Sequence, residues 1–169
     1  MISTDVGIEM DYIIRPMKET EYPLLEDFLY EAIFIPEGVA PPPRSIMNTP
    51  ELQVYIENFG GQTPDKALVA EINHKVIGAV WVRIMNDYGH IDDETPSFAI
   101  SLYKEYRGLG IGTEMMKAML VVLKDCGYRQ ASLAVQKANY AVKMYRKVGF
   151  EIVGENGEEY IMTARIQEG

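Results

Sequence analysis

The chain has one cysteine, Cys126, in 169 residues. A lone thiol closes no intramolecular disulfide and builds no cysteine-based metal cage, and such usage fits a reducing compartment, here expected to be the cytoplasm. Long apolar runs are missing as well. No stretch approaches the roughly 20 apolar residues that cross a bilayer, and the polar, acidic first ten residues lack the pattern of a secretory leader. Positive charge is scarce: 16 Lys and Arg face 25 Asp and Glu, for a net charge of −9. That balance argues against a nucleic-acid partner and favours cationic small molecules by electrostatic steering. No repeat or low-complexity segment interrupts the chain.

What is present is an ordinary globular composition, 47% hydrophobic and 24% charged, expected to form one domain over 1–169 with a loosely held lead-in at 1–10. A short strand is expected over Asp11–Arg15, stopped by Pro16. Thr20 is placed to cap a helix whose buried stripe is Leu24, Leu25, Phe28, Leu29, Ala32 and Ile33. The Pro-rich stretch Ile35–Pro43 must leave the helix, as a loop at a substrate entrance or a plain connection. Thr49-Pro50 starts a second helix, ended by Gly60-Gly61, with Leu52, Tyr55, Ile56 and Phe59 inward.

Lys66–Ile72 and Val76–Met85 read as a hairpin about Asn73-His74-Lys75, with Trp81 as core or cleft wall and His74 exposed. The acids of Asn86–Pro96, Asp87 among them, lack the spacing and central glycine of a calcium loop and read as solvated. Ser97–Tyr103 is a strand, Met115–Lys124 a helix on a methionine-rich core face, and Ala131–Val135 a strand parallel to Ser97–Tyr103. A helix over Asn139–Lys147 and two strands, Phe150–Gly154 and Tyr160–Arg165, complete the order.

The stretch Arg107-Gly108-Leu109-Gly110-Ile111-Gly112-Thr113 lies between strand and helix. A strand that turns through glycines into a helix N-terminus aims free N–H groups and the positive helix end at one spot, a ready phosphate site. Arg107 adds a cation with fork geometry at the lip; the plain alternative is a tight turn. Gly112-Thr113 has no Lys between its members, so the loop is not a Walker P-loop, and its glycines alternate rather than follow the dinucleotide fingerprint.

Arg-x-x-Gly-x-Gly after a strand resembles the pyrophosphate loop of the GCN5-related N-acetyltransferases (GNAT). The later run from Asn139 through Ala141, Tyr145 and Lys147 to Gly149-Phe150 is similar to a second signature of that family. The resemblance covers most of the chain. It implies an α/β (α+β) fold: a mixed, mostly antiparallel sheet of six to seven strands, splayed between the fourth and fifth and flanked by about four helices. It also implies acetyl-coenzyme A as cosubstrate, with no metal, and transfer of the acetyl group to a primary amine of a small molecule or peptide. The alternative is a non-catalytic acyl-coenzyme A sensor of the same fold.

By the same resemblance, the backbone of Ile100, Ser101 and Leu102 would pair with pantetheine. Arg107, Gly108, Leu109, Gly110, Ile111, Gly112 and Thr113 would hold the diphosphate, and Asn139 would bond near the sulfur. Tyr145 would be the acid for the leaving thiolate. The family's usual basic glutamate falls on Ser97 here, which is no base, so Glu94 is the expected substitute. No nucleic acid or membrane is expected as partner, and a homodimer is left open.

Overall fold

The computed structural model describes residues 2–3 and 9–166. Within the expected lead-in, β1 (Ile2–Ser3) pairs antiparallel with β2 (Glu9–Met10), and the other residues of 1–10 lie outside the described set. The main sheet has seven strands in the order β3-β4-β5-β6-β7-β9-β8. These are β3 (Ile13–Pro16), β4 (Lys66–Ile72), β5 (Lys75–Arg83), β6 (Ser97–Leu102), β7 (Gln130–Gln136), β8 (Phe150–Glu155) and β9 (Glu159–Arg165). All neighbours are antiparallel except β6 and β7, the fourth and fifth strands of this sheet. Pro16 ends β3 within the sheet, opposite Leu68, rather than before it; an edge strand tolerates the missing donor.

Four α-helices flank the sheet among the described residues: α1 (Leu24–Ala32), α2 (Pro50–Gln53), α3 (Ile111–Asp125) and α4 (Ala141–Lys147). None is long and apolar enough to cross a membrane. Two cores result. One packs Met115, Met116, Met119 and Leu123 of α3 against Phe98, Leu102, Leu133 and Met162, so the methionine stripe is core. The other packs Leu25, Phe28 and Leu29 of α1 with Met47 against Val69, Ala79 and Trp81. Along β6 the side chains alternate between them: Phe98 and Leu102 face α3, whereas Ala99 packs and Ser101 bonds towards the α1 side.

Several boundaries differ from expectation, each for a physical reason. Thr20 does not cap α1. It lies inside a 3₁₀ turn, Glu19–Glu21, where the Glu21 carboxylate accepts the Lys18 N–H at 2.7 Å and pairs with Arg15, and α1 begins only after Pro23. The second helix closes only at Pro50–Gln53. Beyond it, β5 side chains take the carbonyls that would continue the ladder. Trp81 Nε1 donates to Tyr55 O at 3.1 Å, and Arg83 Nη1 donates to Val54 O at 3.2 Å and Glu57 O at 2.9 Å. Asn58 then turns to φ +53°. The β4–β5 hairpin follows expectation, with Asn73 and His74 both at positive φ as a two-residue turn of this hand requires. Trp81 is 1% exposed and belongs to the core.

Candidate active site

The site is where the sheet comes apart. β6 and β7 pair at a single position, Ser97↔Ser132, and beyond it β6 has a strand partner along its β5 side only, from Phe98↔Val82 to Leu102↔Gly78. The other side of Ala99–Leu102 faces the gap. A fork of this kind leaves strand donors and acceptors for an extended amide-bearing molecule to fill. Of the three expected contact residues, Ile100 is half-buried. Ser101 gives its hydroxyl to Phe28 O at 2.6 Å, tying β6 to α1, and Leu102 O accepts Arg107 Nε at 2.9 Å.

The glycine stretch follows β6 after a 3₁₀ turn, Lys104–Tyr106. α3 starts at Ile111, four residues earlier than expected, with Gly110 as its N-cap. The N–H groups of Ile111, Gly112 and Thr113 are therefore first-turn groups with no helical carbonyl behind them. The alternation of the loop has a structural cause. Leu109 and Ile111 pack into the α3 core, while Gly108 (φ +78°) and Gly110 (φ +88°) are exposed. A Cβ at either glycine would meet nothing within 4 Å. Their backbone conformation and the open space above them suit close approach by an anion. Gly112 has a different reason: a Cβ there would sit 3.3 Å from Met144 Sδ, so this glycine lets α3 pack on α4.

Arg107 is less free than its sequence position suggests. Its guanidinium bonds Leu102 O and pairs with Glu31 Oε2 at 3.0 Å, strapping the loop to the C-terminal end of α1. The side chain stays 45% exposed, so one face of the cation remains open to a phosphate. Across the fork, Asn139 Oδ1 accepts the Ala141 N–H at 2.8 Å and caps α4, leaving its amide NH₂ without a described partner. Tyr145 on α4 lies tilted against Phe150 at 6.2 Å between ring centroids, and Phe150 meets Phe98 of β6 edge-on at 5.5 Å. Burial pushes the Tyr145 phenol up to about 12. No described residue hydrogen-bonds its hydroxyl, so the donor is kept protonated and unspent.

A parted parallel pair, a helix start beside it and an unspent tyrosine are joined by a sequence match: the acetyltransferase (GNAT) family matches residues 32–150. The chain belongs to this family. Among curated GNAT relatives, an N-alpha-acetyltransferase of Sulfurisphaera tokodaii is 27% identical over 57% of this chain and 66% of its own length. N-alpha-acetyltransferase 30 of Schizosaccharomyces pombe is 30% identical over 62% of this chain and 69% of its own. Human N-acetyltransferase 8B is matched over only 39% of its length, so the chain spans well under half of that relative. The PaiA N-acetyltransferase of Thermoplasma acidophilum, in complex with coenzyme A, superposes at TM-score 0.68 and 18% identity, over 92% of this chain and 99% of that one. At this identity the likeness is one of fold.

The closed end of this GNAT fork is polar. Ser97, at the position of the family's usual glutamate, is 2% exposed and lies 3.1 Å, oxygen to oxygen, from Ser132, whose hydroxyl bonds Gly89 O at 2.8 Å. Glu94 is exposed. Its N–H bonds Asp92 Oδ1 at 2.8 Å, and it lines an open depression with Thr95, Tyr128, Gln130 and Arg165. The sequence reading passed over a second acid of the same loop. Asp87 leaves the solvated-loop class because Tyr55, following α2, donates its hydroxyl to Asp87 Oδ2 at 3.0 Å. Burial pushes the Asp87 carboxyl above the ordinary range and the Tyr55 phenol far up. Nothing local in the sequence marks this pair, since its partners are far apart in the chain.

Proposed function

We propose that the chain transfers an acetyl group from acetyl-coenzyme A to a primary amine of a small molecule or peptide. The observation that carries this reading is the single β6–β7 pair beside the exposed, positive-φ glycines and the free first-turn N–H groups of α3. Pantetheine fits the gap as a surrogate strand on Ala99–Leu102, with its diphosphate on Gly108–Thr113 and the open face of Arg107. The thioester then lies towards the closed end, between the α4 and α1 faces. Asn139 offers an amide donor near the sulfur, and Tyr145 a protonated hydroxyl to the departing thiolate.

The test is release of free thiol from acetyl-coenzyme A across a panel of primary amines. Turnover with at least one amine is expected. Tight binding of acetyl-coenzyme A with no turnover on any amine would favour a sensor of the same fold. Gly110→Val tests the diphosphate site, because a β-branched residue is strained at φ +88° and its side chain fills the space above the loop. Calorimetry should give coenzyme A affinity reduced more than tenfold, about 1.4 kcal/mol, with circular dichroism unchanged. Parental affinity would remove the diphosphate from this loop.

A further inference from the structure

Among the described residues, one buried side-chain polar atom lacks a hydrogen bond: Asp87 Oδ1. Buried polar atoms are nearly always satisfied, and an unsatisfied carboxylate oxygen is costly. The other oxygen, Oδ2, is held by Tyr55. The residue as a whole is half-buried while Oδ1 itself is closed off from solvent, so an acceptor reaches it only by displacing the side chains over it.

Its position relative to the fork gives this oxygen a meaning. The turn that carries Asp87 is pressed on β7: a Cβ on Gly89 would lie 3.2 Å from Ala134 N and 3.4 Å from Asp87 Oδ2. Ser132, the last β7 residue paired with β6, bonds Gly89 O. On the other side Tyr55 O accepts Trp81 Nε1, and Trp81 pairs with Ala99, two residues past the closed end of β6. Asp87 and Tyr55 therefore flank the point where the strands part, on the α1 side of the sheet. Glu94, later in the same loop, is exposed and lines a depression with Gln130 and Arg165, on the opposite side of the Ser97–Ser132 pair from Ala134.

We propose that Asp87 Oδ1, held in place by Tyr55, receives the ammonium of the acceptor and takes its proton. This rests on the acetyl-transfer reading above and adds to it the acceptor side: a cationic amine bound to an anion at the closed end of the fork. The ammonium gives one proton to Oδ1, which gives it up to solvent as the products leave and the site opens. The freed nitrogen lone pair forms the N–C bond to the thioester carbonyl as the C–S bond breaks and its electron pair leaves on sulfur. Nitrogen loses its second proton, and sulfur gains one, so the products are amide, thiol and one proton. A carboxyl held above its ordinary range by burial is a stronger base than an exposed one. The groups around it are Tyr55 and the N–H groups of Gly89 and Asp87, which favour its charged form against the larger effect of burial, then His90 in the same loop, 3.7 Å from Asp93, and Glu159 on β9, whose charge reaches Tyr55.

The experiment compares the parent with Asp87→Asn and Glu94→Gln. Thiol release from acetyl-coenzyme A is followed against n-butylamine, lysine and an N-terminal alanyl tripeptide between pH 6 and 10, with thermal unfolding and coenzyme A calorimetry alongside. Asp87→Asn keeps an acceptor for Tyr55 and removes only the charge. Its kcat/KM at pH 7 should fall at least tenfold, and the deficit should shrink at alkaline pH, where the amine arrives already neutral. Coenzyme A affinity should be unchanged. Because folding raises this carboxyl's pKa, its ionised form opposes the fold above that pKa, so the Asn variant should melt at or above the parent temperature at pH 7.

Parental kcat/KM across the pH range in Asp87→Asn overturns the inference and leaves the acetyl-transfer reading standing. So does a lowered melting temperature with parental turnover, the mark of a purely structural acid. An alkaline-restored deficit in Glu94→Gln and none in Asp87→Asn gives the proton to Glu94 instead. If the parent binds coenzyme A yet releases no thiol with any amine, the acetyl-transfer reading fails and this inference with it.

Discussion

Asp65→Ala is expected to lower the unfolding free energy by about 3–5 kcal/mol, the range for stripping one partner from a buried ion pair. Arg83, on β5, is 6% exposed, and the Asp65 side chain is 1% exposed. The contact is a two-point fork, Nη2 to Oδ2 at 3.0 Å and Nε to Oδ1 at 3.2 Å. Nη1 holds two carbonyls of the segment after α2, and the guanidinium lies 5.4 Å from the Phe59 ring. Asp65 Oδ2 also accepts the Gly60 N–H at 3.0 Å. The alanine variant leaves a cation buried without its counter-charge and frees the Gly60 N–H. At about 2–4 °C per kcal/mol for a chain of this size, the melting temperature falls by on the order of 10 °C.

The same pair couples stability to the site. Arg83 fixes Val54 O and Glu57 O, the carbonyls on either side of Tyr55, and Tyr55 is what holds Asp87. Replacing both members, Arg83→Met with Asp65→Leu, removes the uncompensated charge and should recover part of the lost stability. It should not recover full activity, because the turn bearing Tyr55 loses both Arg83 bonds and is held by Trp81 alone of the two β5 side chains. A double variant that regains both would disconnect the ion pair from the site. Circular dichroism melts and thiol release on the parent and these two variants settle the matter.

The sheet was legible in the sequence because its strands announce themselves locally. β4 and β5 are Val- and Ile-rich runs about a two-residue turn, and β6 to β9 are separated by helical periods or glycine turns. The glycine turn into α3 was legible too, although its three glycines turned out to have two different causes. Gly108 and Gly110 are set by φ, whereas Gly112 answers to Met144, a partner no local pattern reveals. What stayed hidden depends on distant partners. The helix expected to run to Gly60 is regular only to Gln53, and Trp81 and Arg83 take carbonyls of the segment after it, which a continued helix would need. Asp87 reads as one of several loop acids until Tyr55 and β7 close over it, and burial, not residue type, changes its chemistry.

Tyr145→Phe should reduce kcat by about 10² or more while leaving melting temperature and coenzyme A affinity near the parent. The ring keeps its contact with Phe150, and the hydroxyl has no described hydrogen-bond partner to lose, so the substitution removes a donor and little else. The direction of its pKa refines what that donor does. A coenzyme A thiol has an ordinary pKa of about 8.5, against about 12 for this phenol. Full transfer of the phenolic proton to a free thiolate is therefore uphill, and in the proposed transfer the hydroxyl would act mainly as a hydrogen bond that strengthens as charge gathers on sulfur. The loss in Tyr145→Phe should then vary little between pH 6 and 9, because the phenol stays protonated throughout. This separates it from Asp87→Asn, whose deficit shrinks as the amine loses its own proton. A Phe variant with full turnover would make the hydroxyl dispensable to transfer. A deficit that appeared only on one side of neutrality would mean that Tyr145 ionises in the working range, contrary to the burial that surrounds it.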